Sequence, residues 1–128
     1  MLRIFSLLIL LAPLSAWSHL IEETLQIGDK KTRIIIQNIP SFEIQVVATG
    51  AKSLSKPLST QDFHKIQREV LQLIQNSQNG TFCKTTFLNM SLESPKKEGH
   101  FCLERNTTDA SKQALQHFQG LYNWARLP

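Results

Sequence analysis

The apolar residues of this chain change their spacing along the sequence, and these changes limit the fold more than any single residue does. Apolar and polar side chains alternate over residues 21–27, 32–39 and 42–49, which predicts three strands, because successive side chains of a strand point to opposite faces. The short breaks between them favour an antiparallel meander. Three consecutive isoleucines at 34–36 predict that the second strand is covered on both faces.

Helical spacing of apolar residues replaces this alternation in two later segments. The first predicted helix begins at Ser59 or Thr60 and the second at Thr107 or Thr108, since hydroxyl side chains cap helix N-termini. Gly120 lies inside the second helix, where a glycine costs about 1 kcal/mol relative to alanine. We expect this glycine to permit close packing against another element.

Between the two predicted helices the sequence has the pattern of a hairpin. Residues 81–92 are rich in Phe and Thr, residues 94–99 have turn composition, and residues 100–104 resume a strand. The element order is therefore β-β-β-α-β-β-α. Strand groups and helices do not alternate strictly in this order, so we predict an α+β domain with a five-stranded, mainly antiparallel sheet and both helices packed on one face.

The two cysteines, Cys83 and Cys102, lie one on each arm of this predicted hairpin. If they were directly opposed, the apex would fall between residues 92 and 93, because opposed residues of an antiparallel pair keep a constant sum of numbers. The turn composition places the apex nearer Lys96. Either the loop is long, or a bulge or an offset separates the cysteines. We favour a long, exposed loop over residues 91–97.

The N-terminus has the pattern of a cleavable secretory signal peptide. A basic start precedes a short apolar run over residues 4–12, and small residues follow it. The run is too short to span a bilayer, which takes about 20 helical residues. We predict cleavage after Ser18, with cleavage after Ala16 as the alternative. Residues 1–18 are then a signal peptide, and residues 19–128 form one small domain.

Export determines how the cysteines are interpreted. An even cysteine count in an exported chain indicates a disulfide. A bridge between Cys83 and Cys102 would close a loop of about 20 residues and contribute roughly 3 kcal/mol. The wide spacing argues against a redox or metal-binding pair. We therefore predict a periplasmic or secreted protein in which no segment after the signal peptide is apolar enough to cross a membrane.

The positive charges of the chain do not form a pattern that would bind nucleic acid. The formal net charge is +4, but the basic residues are dispersed, and the adjacent pairs are limited to residues 30–31 and 96–97. A nucleic-acid groove would combine a basic stripe with interleaved aromatic residues. We therefore predict no nucleic-acid partner.

The four histidines of the chain are candidate metal ligands or catalytic bases. His64, His100 and His117 have no partner at short metal-ligand spacing, so we interpret them as surface or core-edge residues. After cleavage at Ser18, His19 would become the N-terminal residue. Its amine and imidazole could then chelate copper with a further histidine, which is a minor hypothesis because geometry decides such sites.

Acidic residues and glycan acceptors give little further direction. Glu22 and Glu23 are adjacent in the first predicted strand, so alternation sends them to opposite faces and at most one could join a site. Asn79, Asn89 and Asn106 begin Asn-x-Ser/Thr triplets, which are glycan acceptors only in a eukaryotic secretory pathway. We expect all three asparagines at element ends or in the long loop.

These patterns favour a non-enzymatic binding or inhibitor module that is stiffened by one disulfide, without a catalytic set, a bound metal or a cofactor. Loops on a rigid scaffold often carry recognition surfaces, so Lys96 and Lys97 of the predicted loop are the candidate contact with another extracytoplasmic protein. The alternative is a small exported hydrolase whose site is assembled from distant residues such as His64, His100 and Glu104.

Overall fold

The computed structural model describes residues 20–38, 41–77, 83–93, 95–104 and 108–127. The predicted signal peptide and His19 lie outside these ranges. The described part contains six strands and two helices, in the order β1 (Ile21–Ile27), β2 (Lys30–Gln37), β3 (Glu43–Ala48), β4 (Leu54–Pro57), α1 (Thr60–Asn76), β5 (Thr86–Leu92), β6 (Lys97–Cys102) and α2 (Asp109–Arg126). Neither helix has the length and apolarity that a membrane span requires.

All six strands form one antiparallel sheet in the order β4-β3-β2-β1-β5-β6. Along β1, Glu23 is paired with Ile34 on one side and with Met90 on the other, and opposed residues share a face of the sheet. That face, here called the helix face, forms one core with the buried stripes of both helices. The predicted α+β class with two helices on one face of an antiparallel sheet is therefore confirmed.

The three central isoleucines of β2 are buried on both faces of the sheet. Ile34 and Ile36 enter the core under the helices, whereas Ile35 lies on the opposite face, here called the outer face, and is only 4% exposed. A strand that carries apolar side chains on successive positions can be satisfied only where both faces are covered. The expectation drawn from the isoleucine run is confirmed at these positions.

The sheet has six strands rather than the predicted five, because residues 54–57 form an edge strand. The sequence pattern does not indicate this strand, since Leu-Ser-Lys-Pro contains no β-branched or aromatic residue. It pairs with β3 on one side only, from Val46 opposite Leu54 to Glu43 opposite Pro57. Edge strands tolerate charged residues and proline, so the composition that hid this strand is compatible with its position.

Each helix begins at a hydroxyl cap, and each cap is one of the two residues predicted for that position. The Ser59 Oγ accepts a hydrogen bond from the Asp62 N–H at 3.0 Å at the start of α1. The Thr108 Oγ1 accepts one from the Ser111 N–H at 3.1 Å at the start of α2. These caps fix where each amphipathic stripe meets the sheet.

The predicted long loop over residues 91–97 is wrong. Ser91 and Leu92 belong to β5, Lys97 begins β6 opposite Leu92, and the connection spans residues 93–96, of which Ser94 lies outside the description. The sequence left a second possibility, an offset between the cysteines, and the structure has this offset. The paired residues of β5 and β6 place the apex between residues 94 and 95, between the position that opposed cysteines would give and the one that the turn composition indicates.

Candidate functional site

The cysteines lie at disulfide distance, with their Cα atoms 5.3 Å apart. Phe87, not Cys83, is opposite Cys102 in the hairpin, so the pair joins the end of β6 to the segment before β5. His100 supports this segment. Its Nε2 accepts from the Cys83 N–H at 3.1 Å, and its Nδ1 lies 2.6 Å from Asn89 Oδ1.

These contacts assign the state of His100. A backbone N–H can only donate, so Nε2 is the accepting nitrogen and Nδ1 carries the proton that is donated to Asn89. The ring is therefore neutral, and burial lowers the pKa of His100 below its usual value of 6.5. The interpretation of His100 as a structural residue agrees with this geometry.

The residues proposed for a hydrolase site do not converge. His64 is exposed on α1 beside Phe63, on the helix side of the sheet, whereas His100 lies on the outer face. Glu104 accepts a hydrogen bond from Thr85 Oγ1. Its carboxylate also lies close to the two cysteine sulfurs, but sulfurs joined in a disulfide are not the thiolates that bind metals. Copper binding through His19 lies outside the described residues.

One of the three glycan-acceptor asparagines and both hairpin lysines lie within the described residues. Asn89 lies within β5, not at an element end as expected, and its side chain contacts His100. Asn79 and Asn106 lie outside the described residues. Lys96 and Lys97 are exposed at the end of the β5–β6 hairpin, and their contact with a partner stays a prediction.

A buried carboxylate on the helix face of β1 is the feature that the sequence did not single out. Glu23 is 0% exposed in the otherwise apolar layer between the sheet and the helices, while its neighbour Glu22 lies on the outer face and pairs with Arg33. An ionised carboxylate in such surroundings costs several kcal/mol unless it is paired. His117 of α2 supplies the pair, with its Nε2 2.8 Å from Glu23 Oε2.

His117 continues this contact to a second carboxylate. Its Nδ1 lies 3.1 Å from Glu69 Oε2 on α1, and the His117 side chain is 7% exposed while that of Glu69 is 45% exposed. An imidazole donates from both nitrogens only when it is protonated. Burial opposes that charge, but the hydrogen bonds and charges of Glu23, and then of Glu69, outweigh it and raise the pKa of His117 above 6.5. We call Glu23, His117 and Glu69 the Glu–His–Glu bridge.

Two clefts lie between α1 and α2, one on each side of the Glu69–His117 contact. The larger has a volume of about 310 Å³ and the smaller about 210 Å³, and Glu69 and His117 line both. The apolar wall of the larger cleft consists of Leu58, Ile66, Leu121 and Trp124. Its polar lining, besides the bridge, consists of Asp62, Lys65 and Gln116.

The edge strand β4 helps to shape the larger cleft. Lys56 points to the helix face, because it is opposite Ile44 of the core. Its Nζ donates to the Trp124 carbonyl at 3.0 Å and lies 3.9 Å from the centre of the Trp124 ring. A cation held against an aromatic ring in this way stabilises the ring position, so the indole wall of the cleft is fixed from the sheet.

Gly120 of α2 opens into the larger cleft. A Cβ added to this glycine would meet no atom within 4 Å, so the predicted close packing is wrong. The glycine therefore weakens the helix without a packing contact that would offset the cost. Its effect is to leave the cleft wider.

Replacement of Gly120 by alanine is expected to raise the free energy of unfolding by about 0.5–1 kcal/mol, because the helix gains propensity and nothing is displaced. Urea denaturation measures the change. Gly99→Ala is the control, since its Cβ would lie 3.2 Å from Ile74 Cγ1 and 3.3 Å from Phe101 Cε1, and these close contacts should make it less stable than Gly120→Ala. Equal effects at the two positions would contradict the open space at Gly120.

A third concavity lies on the outer face and has a volume of about 550 Å³. It is larger than the interhelical clefts, but two of its ionisable side chains already serve the fold. Glu22 pairs with Arg33, and His100 contacts Asn89 and Cys83. Ligand sites combine an apolar lining with a few convergent polar groups, and the larger interhelical cleft fits that description better.

Nucleophilic side chains and free ring nitrogens decide which reactions the interhelical clefts could support. Among the described residues, no serine, threonine or cysteine lines either cleft. Both nitrogens of His117 face carboxylates, so while both contacts are in place the ring has no free nitrogen to take a proton from a substrate. No family model, no curated protein and no solved structure matches this chain.

Proposed function

We propose that the chain is an exported binding module whose ligand site is the larger cleft between α1 and α2. The observation that carries the proposal is an apolar-walled cleft of about 310 Å³ that contains one side of a buried Glu–His–Glu bridge. Its volume is at the lower end of the range of about 300–1,000 Å³ for small-molecule sites. The ligand class that fits is a compact apolar body with one polar group.

Two features of the larger cleft support a role in ligand binding over a purely structural role. The cleft retains a mid-helix glycine that no neighbouring atom requires, and a mid-helix glycine is unfavourable for stability alone. The indole of Trp124 is fixed in the wall by Lys56, and a fixed aromatic surface binds with little loss of conformational entropy. The cysteine pair supports export, because disulfides persist in oxidising compartments.

Benzyl alcohol, a neutral probe with an apolar body and one hydroxyl, is expected to bind the larger cleft of the mature domain with a Kd on the order of millimolar. NMR spectra of the isotope-labelled protein should show shifts that cluster on the cleft residues of α1 and α2. Gly120→Leu should abolish them, because the new side chain enters open space and fills the cleft.

Gln75→Leu is the matched control, since it adds the same side chain to an exposed position of α1 outside both clefts and should leave the shifts unchanged. Shifts that are scattered over the surface, or that survive Gly120→Leu, would reject the cleft as the site.

A further inference from the structure

The Glu–His–Glu bridge needs both ring protons of His117. Loss of one of them changes the contacts of His117 in a way that the geometry defines. We propose that the Glu69–His117 contact is a proton-controlled latch, which divides the interhelical groove while His117 is protonated and opens it when that proton is lost. The inference rests on the proposed function, because it concerns access to the same cleft.

The number of ring protons sets how many carboxylates His117 can hold. A protonated imidazole has two N–H groups and satisfies both neighbours, whereas the neutral ring has one N–H and one lone pair. With Oε2 of Glu23 at 2.8 Å and Oε2 of Glu69 at 3.1 Å, the neutral ring must direct its lone pair at one carboxylate oxygen. That contact is repulsive, so one of the two breaks.

Burial decides which contact breaks. Glu23 is 0% exposed, and its Oε1 has no hydrogen-bond partner among the described residues, so its carboxylate depends on His117. Loss of that partner would leave a buried charge unpaired, at a cost of several kcal/mol. The Glu69 side chain is 45% exposed and can be hydrated when released. The remaining proton therefore stays on Nε2, and Nδ1 releases Glu69.

Release of Glu69 changes the shape of the groove. Glu69 and His117 are shared by the linings of the larger and the smaller cleft, so their contact is the partition between the two. A Glu69 side chain that rotates into solvent removes this partition. The open groove then accepts an elongated ligand that reaches from the Trp124 side towards Gln72 and Asn76, whereas the closed form accepts a compact one.

Other charged side chains line the clefts beside His117, and none of them takes the place of Glu69 in the latch. The charged groups that face it across the described elements are Glu23 of β1 and Asp62, Lys65 and Glu69 of α1. On α2, its neighbours in the clefts are the uncharged Gln113 and Gln116. The two carboxylates of the bridge raise the pKa of His117 despite its burial, so the latch opens as pH rises above the usual histidine range.

The tautomer of neutral His117 tests the latch without any ligand. The imidazole nitrogens of the isotope-labelled mature domain are followed by NMR from about pH 6 to about pH 10, a range that spans a raised histidine pKa. We expect Nδ1 to lose its proton, Nε2 to keep it, and the Glu69 carboxyl carbon signal to shift at the same midpoint. Loss of the proton from Nε2 instead would overturn the proposal.

Two neutral probes test the consequence. The affinity of phenylhexanol, which is elongated, should rise at least about fivefold over this pH range, whereas that of benzyl alcohol should change little. Glu69→Ala should bind phenylhexanol tightly at every pH, since the partition is absent. Glu69→Gln should bind it weakly at every pH, because an amide can accept from Nδ1–H or donate to bare Nδ1.

Glu98→Ala, an exposed position of β6, controls for the loss of one surface carboxylate and should behave like the wild type. If neither probe shifts the cleft residues at any pH, the proposed binding function fails, and the tautomer measurement still decides the latch. Two outcomes would reject the latch while the cleft stands as a site, provided that benzyl alcohol binds. In the first, phenylhexanol binding does not depend on pH. In the second, Glu69→Ala retains the pH dependence of phenylhexanol binding.

Discussion

Replacement of His117 by alanine is expected to lower the free energy of unfolding by about 3–5 kcal/mol, because it leaves the Glu23 carboxylate buried without a charge partner. Glu23 is fully buried, and one of its oxygens already lacks a hydrogen-bond partner among the described residues. Urea denaturation of the protein at neutral pH measures the loss. His64→Ala, an exposed histidine on α1, is the control and should change stability by no more than about 0.5 kcal/mol.

The loss of stability in His117→Ala should come from the unpaired charge of Glu23 rather than from lost packing volume. Joint replacement of Glu23 by methionine and His117 by leucine is therefore expected to recover most of the stability, since a buried ion pair can often be replaced by apolar residues of similar volume. A double variant as unstable as His117→Ala alone, or a single variant no worse than His64→Ala, would show that the bridge is not a buried ion pair.

The pH dependence of the wild type follows from the same bridge. The pKa of His117 is raised in the folded state, so the stability it contributes is fully present below the unfolded value of about 6.5 and is lost as pH rises through the folded pKa. The double variant lacks His117 and its buried partner, and the difference between the two stability curves isolates this loss. If the wild type and the double variant differ by a constant free energy of unfolding over the alkaline range, the raised pKa of His117 is contradicted.

Hydrophobic spacing was sufficient for the fold class and most of the elements. Alternation located β1, β2 and β3, and helical spacing located both helices, because these periods follow from backbone geometry alone. It missed β4, where Leu54 is exposed and Lys56 and Pro57 are poor strand formers. Pairing with β3 forms this strand, and such pairing is a tertiary effect that leaves no local period.

The candidate site was only half visible in the sequence. Alternation placed Glu22 and Glu23 on opposite faces, so one acidic residue had to point inward. The partner could not be found, because Glu23 and His117 are 94 residues apart and their contact depends on how α2 lies on the sheet. His117 sits beside Phe118 at the edge of an apolar stripe, a position that is typical of an ordinary core-edge histidine.

Joint replacement of Cys83 and Cys102 by alanine is expected to lower the free energy of unfolding by about 3 kcal/mol, because the unfolded chain regains the entropy of a loop of about 20 residues. The cysteines are 19 positions apart, and the loop contains β5 and most of β6. Because β5 lies between β1 and β6 in the sheet, the cross-link restricts an interior strand. Chemical denaturation measures the change.

Packing and cross-linking can be separated at this pair. Cys83 is buried, so the alanine variant loses some contacts as well as the bridge. Reduced wild type keeps both side chains and loses only the cross-link, and it should therefore lie between the oxidised protein and the double variant. Reductant should leave the double variant unchanged, and it should add the mass of about two hydrogens to the wild type. If the reductant changes neither the stability nor the mass of the protein, the cysteines are unbridged. The proposal of an extracytoplasmic compartment would then lose the support of the cysteine pair.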